Sequence, residues 1–258
     1  MDRRTFLTAA AASLVALSCS DGGSNNADAT SSTPTLPTTT TLPATTRPTT
    51  TTTPPRARFV DTGPRNHARV ALTFHTNGDL GLAQQLFDEL AARRVPITAF
   101  IVGNWLEANP SWAKKFADAH FEFANHTYSH LTFGSLSPDA MRNEIVRCRD
   151  VLTRLTGSPG TFFRPSGTDN GTEAPTDTIL DVAGETGYRT VLGFDVDPLD
   201  YTDPGPTVIT QRTLDTVGPG SIVSMHFGHP GTIAAIPAIL DGLEKKKLTP
   251  VTASTLLG

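Results

Sequence analysis

The sequence predicts an α/β domain, parallel strands with surrounding helices. Three observations predict it. Strand and helix signals alternate from about residue 69 to residue 251. The strands are apolar along nearly their whole length, as in Ile97-Thr98-Ala99-Phe100-Ile101-Val102, which is how a parallel strand covered on both faces reads. The polar and charged residues collect directly after the strands: His75, Asp79, His126, His130, Arg164, Asp197, Asp200 and His226. The alternation leaves an open doubly wound sheet and a barrel both possible. Either fold keeps its chemistry at the C-terminal ends of its strands.

The elements follow in order. Arg69 to Phe74 reads as the first strand. Leu80 to Arg94 places Leu82, Leu86 and Leu90 at helical spacing. Pro96 to Val102 is the second strand, and Trp105 to Ala119 a helix broken near Pro110. Phe121 to Phe123 is a strand ending at a histidine pair. Ser137 is a natural N-cap with Pro138 in the first turn, and that helix runs to Thr156 and stops at Gly157. Thr161 to Phe163 reads as a strand, Thr176 to Thr186 as a helix, Tyr188 to Leu192 as a strand and Pro206 to Val217 as a helix. Ser221 to Met225 is a strand, Ile233 to Lys246 a helix, and Pro250-Val251 begins a last short strand.

The first 65 residues stand apart. Residues 1–19 read as an export signal: Arg3-Arg4 form a twin-arginine pair, and the apolar run Leu7 to Leu17 is far short of the ~20 residues a membrane-spanning helix needs. Ala16-Leu17-Ser18-Cys19 is a degenerate lipoprotein cleavage box, so lipidation of Cys19 is expected. Residues 20–65 are a Thr/Pro-rich tether with too few apolar side chains to bury a core. At ~3.1 Å per residue in polyproline II, such a segment spans on the order of 100 Å. Exported location is expected, at the outer face of the cell membrane or in the wall, with membrane contact only through the signal or a lipid anchor.

Residues 66–258 make one domain of ordinary size. A formal charge of −4 argues against nucleic acid as a partner. Of the two cysteines, Cys148 falls in a helical pattern with Met141, Ile145 and Leu152 and reads as core. Trp105 and Trp112 read as helix packing, Asp195 and Asp197 as structural, His229 as a loop residue, and His67 and His120 as surface.

His126-Thr127-Tyr128-Ser129-His130 carries most of the chemistry. Two imidazoles four residues apart, delivered by a strand end, are a plausible metal pair, because neutral imidazole is the commonest protein metal ligand. The glutamate of the helical His-Glu-x-x-His zinc proteases is missing, so that mechanism is not supported.

Five segments in order resemble the polysaccharide deacetylases of the NodB-homology type, carbohydrate esterase family 4, over Arg69 to Leu257. The second, His-Ser/Thr-x-x-His, is met in full by His126, Thr127 and His130. The third is partly met by Arg164-Pro165-Ser166-Gly167, the fourth by Asp197-Pro198-Leu199-Asp200-Tyr201, and the fifth by Ser224-Met225-His226. The first departs: the family has Thr-Phe-Asp-Asp-Gly, with a base and then a metal ligand, and this chain has Thr73-Phe74-His75-Thr76-Asn77-Gly78-Asp79. The resemblance implies a distorted (β/α) barrel. It implies a divalent metal, zinc first, on His126 and His130, with His226 as the acid and Asp200 holding its ring. It also implies Arg164 beside the base, a main-chain N–H near Ser166-Gly167 for the carbonyl oxygen, and Tyr201 at the substrate.

For the altered first segment, the expectation is that the Thr76-Asn77-Gly78 insert bulges and returns Asp79 as third metal ligand, with His75 as base. The rival assignment makes His75 the ligand and Asp79 the base. Amide hydrolysis of an N-acetyl sugar needs a nucleophile, charge stabilisation on the carbonyl oxygen and a proton for the amine, and a metal supplies the first two. The expected substrate is an N-acetylated cell-wall glycan, peptidoglycan first. The alternatives are a non-catalytic carbohydrate-binding protein on the same fold and a metal-dependent esterase on O-acetylated sugar.

Overall fold

The computed structural model describes residues 56–168 and 170–258 of the chain; the signal and most of the tether lie outside them. Strand β2 (Arg69–Thr76) is the centre of the sheet, and its last seven residues are buried. It pairs in parallel with β3 (Thr98–Ile101) and β6 (Ile222–His226), while its first residues pair with β7 (Thr249–Val251). Strand β4 (Glu122–Asn125) lies beyond β3. A second, two-stranded sheet joins β1 (Arg58–Val60) to β5 (Thr190–Leu192).

Single bridges carry the ring onward. Phe163 bridges Asn125 on one side and Val191 on the other, and Val196 bridges Val223 of β6. All pairings among the described residues are parallel, and with these bridges the strands form the distorted barrel that the resemblance implied. The expected strand at Thr161–Phe163 is reduced to those bridges. Its neighbours Pro159-Gly160 and Arg164-Pro165 limit the ladder there.

The helices surround these strands: α1 (Leu80–Ala92), α2 (Gly103–Ala108), α3 (Ser111–Asp118), α4 (Pro138–Thr156), α5 (Asp177–Glu185), α6 (Pro206–Thr216), α7 (Pro230–Lys245) and α8 (Ala253–Leu257). The break expected near Pro110 separates α2 from α3. Helix α4 has the ends its sequence predicts. Ser137 accepts from Ala140 N, and Gly157 closes the helix in the left-handed region at φ 77°. None of the described helices is long and apolar enough to cross a membrane.

The folded domain begins before residue 66. Ala57 is buried, and Phe59 packs against the Phe163, Tyr188 and Val191 cluster, so residues placed in the tether complete the barrel. Trp105 and Trp112 lie in the main core, and Cys148 is fully buried with its thiol on the carbonyl of Ile101.

Candidate active site

His75 is the last residue but one of β2 and His226 the last of β6, and the strand register puts these two residues side by side. Just past β4, His126 and His130 lie in a tight loop. Thr127 and His130 take left-handed backbone angles, φ 67° and 57°, which cost a non-glycine residue roughly 1–2 kcal/mol each. Such geometry persists only where the surroundings over-determine it. Here Asn125 Oδ1 accepts Thr127 N at 3.0 Å, and the buried Glu144 of α4 accepts Tyr128 N at 3.0 Å, Ser129 N at 2.7 Å and Ser129 Oγ at 3.0 Å. Glu144 was not singled out in the sequence. Its one signal is a carboxylate on the apolar face of a helix, next to Met141, Ile145 and Cys148.

His75, His126 and His130 form a group in which one ring nitrogen of each lies within 4.8 Å of the others. The His75 and His126 rings stack at 3.9 Å. His126 Nδ1 contacts the carbonyl of Arg164 at 2.9 Å, so that nitrogen is the donor and Nε2 keeps its lone pair. That Nε2 is buried and has no hydrogen-bond partner among the described residues. A buried acceptor without a partner costs ~1–3 kcal/mol, and a cation shared with His130 would satisfy it. The donor set therefore fits a divalent metal of the kind that prefers imidazole. Burial foremost, then the neighbouring charges, holds His75 and His126 well below the ordinary imidazole range; burial also lowers His130. All three are neutral at pH 7, as ligands must be.

Asp79 is not part of this group. Gly78 turns the chain at φ 91° against Gly228, Trp105 Nε1 donates to the Gly78 carbonyl at 3.2 Å, and Asp79 becomes the N-cap of α1, accepting Leu82 N at 2.9 Å. The expected return of Asp79 to the histidine pair is replaced by a helix cap, for which aspartate is among the best residues.

Arg164 is 1% exposed and lies over the Phe100 ring. It donates to Leu192 O at 2.8 Å, Gly193 O at 2.9 Å and Thr73 Oγ1 at 2.9 Å, and Nη1 reaches His75 Nε2 at 3.1 Å. Burial presses the guanidinium down to about 9, which leaves it charged at neutral pH. A guanidinium only donates, so His75 Nε2 accepts and the His75 proton sits on Nδ1. Nδ1 then donates to His226 Nε2 at 2.9 Å, and His226 Nδ1 donates to Asp200 Oδ1 at 2.8 Å. The lone pair that a base at His75 would use is engaged by Arg164, and that of His226 Nε2 by His75 Nδ1–H; His226, with Nδ1 on Asp200, is the ring oriented as a triad base is.

Asp200 is fully buried. It also accepts His226 N at 2.8 Å and Thr232 Oγ1 at 2.6 Å. His75, His126, His130, Arg164 and His226 open onto one cavity of about 250 Å³, lined also by Gly167, Tyr201, Asp197 and His229. Gly167 sits at φ 66°, and a Cβ there would lie 3.0 Å from Thr132 Cα. Ser166 turns inward instead, bonding the Leu131 carbonyl and accepting from Thr127 Oγ1 at 3.1 Å. Asp197 accepts Leu199 N at 2.8 Å and is raised by burial.

Residues 62–191 match the family described as polysaccharide deacetylase. A peptidoglycan-N-acetylglucosamine deacetylase of Bacillus cereus is 30% identical over 203 residues, 76% of this chain and 70% of that protein. The crystal structure of the Bc1960 peptidoglycan N-acetylglucosamine deacetylase superposes with a TM-score of 0.70 at 30% identity, over 77% of this chain and 92% of that one. The structure of BA3943 of Bacillus anthracis, described as a carbohydrate esterase family 4 pseudoenzyme, superposes with a TM-score of 0.71 at 25% identity, over 78% of this chain and 69% of that one. On the family match and the 30% identity together, this chain belongs to the polysaccharide deacetylase family.

Proposed function

We propose that the chain removes N-acetyl groups from a cell-wall glycan, peptidoglycan first, with a divalent metal, zinc first. The observation that carries this reading is His126 Nε2, a buried nitrogen with a free lone pair beside His130 and His75. When bound, the metal supplies polarisation of the acetyl carbonyl and a lowered pKa for water. His126 and His130 would hold it, joined by His75 if that ring released Arg164 and His226.

The proton work falls to His226. With Nδ1 fixed on Asp200, its Nε2, once His75 Nδ1–H has turned away from it, takes the proton of the attacking water and then hands it to the departing amine. Before a metal binds, Arg164 keeps His75 neutral and in place. A main-chain N–H at Ser166 or Gly167 meets the carbonyl oxygen, and Tyr201, 47% exposed at the cavity, contacts the sugar. Action outside the cell, from a lipid anchor at Cys19, completes the proposal.

A second reading is binding without turnover. Thr76 favours it: at the family's ligand-aspartate position it is fully buried, and its Oγ1 accepts Val102 N at 3.3 Å. One paired experiment separates the readings. Metal content and acetate release from N-acetylglucosamine oligomers and peptidoglycan are measured for the wild type and His126→Ala. About one metal per chain with acetate release, both lost in the variant, supports hydrolysis. Glycan binding without acetate release supports the second reading and overturns the first.

A further inference from the structure

The fold builds a second imidazole–carboxylate pair at the mouth of the same cavity. Asp200 and Asp203 are three residues apart on one short 3-10 turn (Asp200–Thr202) and its cap; His226 ends β6 and His229 follows three residues later. The equal spacing sets two pairs side by side: His226 with Asp200 at 2.8 Å, and His229 Nδ1 with Asp203 Oδ1 at 3.1 Å, the two rings 6.0 Å apart. The inner pair is sealed, its side chains 14% and 0% exposed. The outer pair is open, at 24% and 57%.

Two details argue against a purely structural pair. Asp203 holds a left-handed backbone, φ 51°, which costs a non-glycine residue roughly 1–2 kcal/mol. Even a fully charged pair at such exposure would return only about 0–1 kcal/mol. His229 precedes α7, but its side chain makes no capping bond to that helix; it lines the cavity instead. The carboxylate takes Nδ1–H and so fixes the tautomer, leaving Nε2 as an acceptor.

We infer that His229, oriented by Asp203, is a positioning residue that accepts a hydrogen bond from a hydroxyl of the pyranose on the amine side of the scissile bond. This role rests on the glycan-deacetylase reading. A hydroxyl held here would set the amine nitrogen beside His226 without taking part in proton transfer.

The test uses full-length protein and the N-acetylglucosamine tetramer. His229→Ala, His229→Gln and Asp203→Asn are compared with wild type for KM, kcat and Tm, and for tetramer affinity of metal-stripped protein by calorimetry. Loss of one hydrogen bond predicts a rise of ~5- to 10-fold in KM and Kd for His229→Ala, with kcat within ~2-fold. Tm should stay within about 2 °C, since the pair contributes little to stability. Asp203→Asn should shift KM in the same direction by less, and the amide of His229→Gln should recover part of the loss. Unchanged KM and Kd in His229→Ala, or a fall in kcat alone, overturns the inference. If wild type binds the tetramer and releases no acetate, the hydrolysis reading fails while Kd still decides the role of His229. If wild type neither binds nor hydrolyses it, both fall.

Discussion

Glu144, in the middle of α4, accepts the main-chain N–H of Ser129 at 2.7 Å, inside the loop that joins His126 to His130. The same carboxylate takes Tyr128 N and Ser129 Oγ. One buried carboxyl group thus fixes a loop with two left-handed residues.

Groups that orient metal ligands typically contribute 10- to 100-fold in metal affinity. Glu144→Gln should therefore weaken zinc binding by about 10- to 100-fold, read by competition with a chromogenic chelator. Glu144→Ala loses three hydrogen bonds and should cost about 3 kcal/mol, or roughly 6–12 °C in Tm. Zinc affinity unchanged in the glutamine variant would remove Glu144 from this role.

Arg164 is expected to matter for stability as much as for chemistry. Arg164→Met leaves the carbonyls of Leu192 and Gly193 buried and unpaired. A loss of about 3 kcal/mol follows, measured by urea unfolding. Arg164→Lys should recover little of it, because one ammonium cannot reproduce the planar fork.

His226→Ala should lower kcat by about 100- to 10,000-fold with little change in KM, the loss expected for a group that handles protons. Asp200→Asn should lower kcat in the same direction, since the amide no longer fixes the His226 ring. His75→Ala decides the division of labour between the two histidines. If His226 alone handles the proton, the variant loses metal affinity more than it loses metal-saturated kcat; a kcat loss matching that of His226→Ala would return the base role to His75.

Stability of the metal-stripped protein should fall on acidification. His75 and His126 are held well below the ordinary imidazole value, chiefly by burial. Below about pH 6.5 the unfolded chain takes up protons at these positions and the folded chain does not. Stability is therefore complete above that pH and declines below it, by up to about 1.4 kcal/mol per pH unit for each of the two rings. Urea midpoints at pH 7.5, 6.5 and 5.5 read this directly. A flat profile between 6.5 and 5.5 would refute it, and His75→Gln should reduce the slope.

Zinc should raise Tm in wild type, by an amount equivalent to about 2.7 kcal/mol at a concentration 100 times Kd. His126→Ala should abolish that shift, because it removes the unpartnered Nε2. A shift that survives the substitution would place the metal elsewhere.

Much of the fold was legible because local signals agreed with it. Ser137, Pro138 and Gly157 marked α4, and Pro110 marked the break between α2 and α3. Strand β1 was not legible: three residues next to a Thr/Pro-rich run have no periodicity to read, and they become a strand only by pairing with Thr190–Leu192. The same limit hid α8, five residues long, and it overrated Thr161–Phe163, where only bridges form. At the site, the sequence identified His126, His130, His226, Asp200 and Arg164 as one constellation. It did not show Glu144, whose bonds span fifteen and sixteen residues.

The sequence by itself determined the alternation of strands and helices, and with it the gathering of histidines at the strand ends. Periodicity and caps are local properties, and a parallel sheet brings strand ends together whatever its other details. Tertiary structure decided the fate of the His75-Thr76-Asn77-Gly78-Asp79 loop. A free aspartate could serve as a ligand or as a cap. Trp105 and Gly228 pack the turn so that Asp79 meets Leu82 N, while the register of β2 against β6 delivers His75 to His226 and leaves its Nε2 to Arg164.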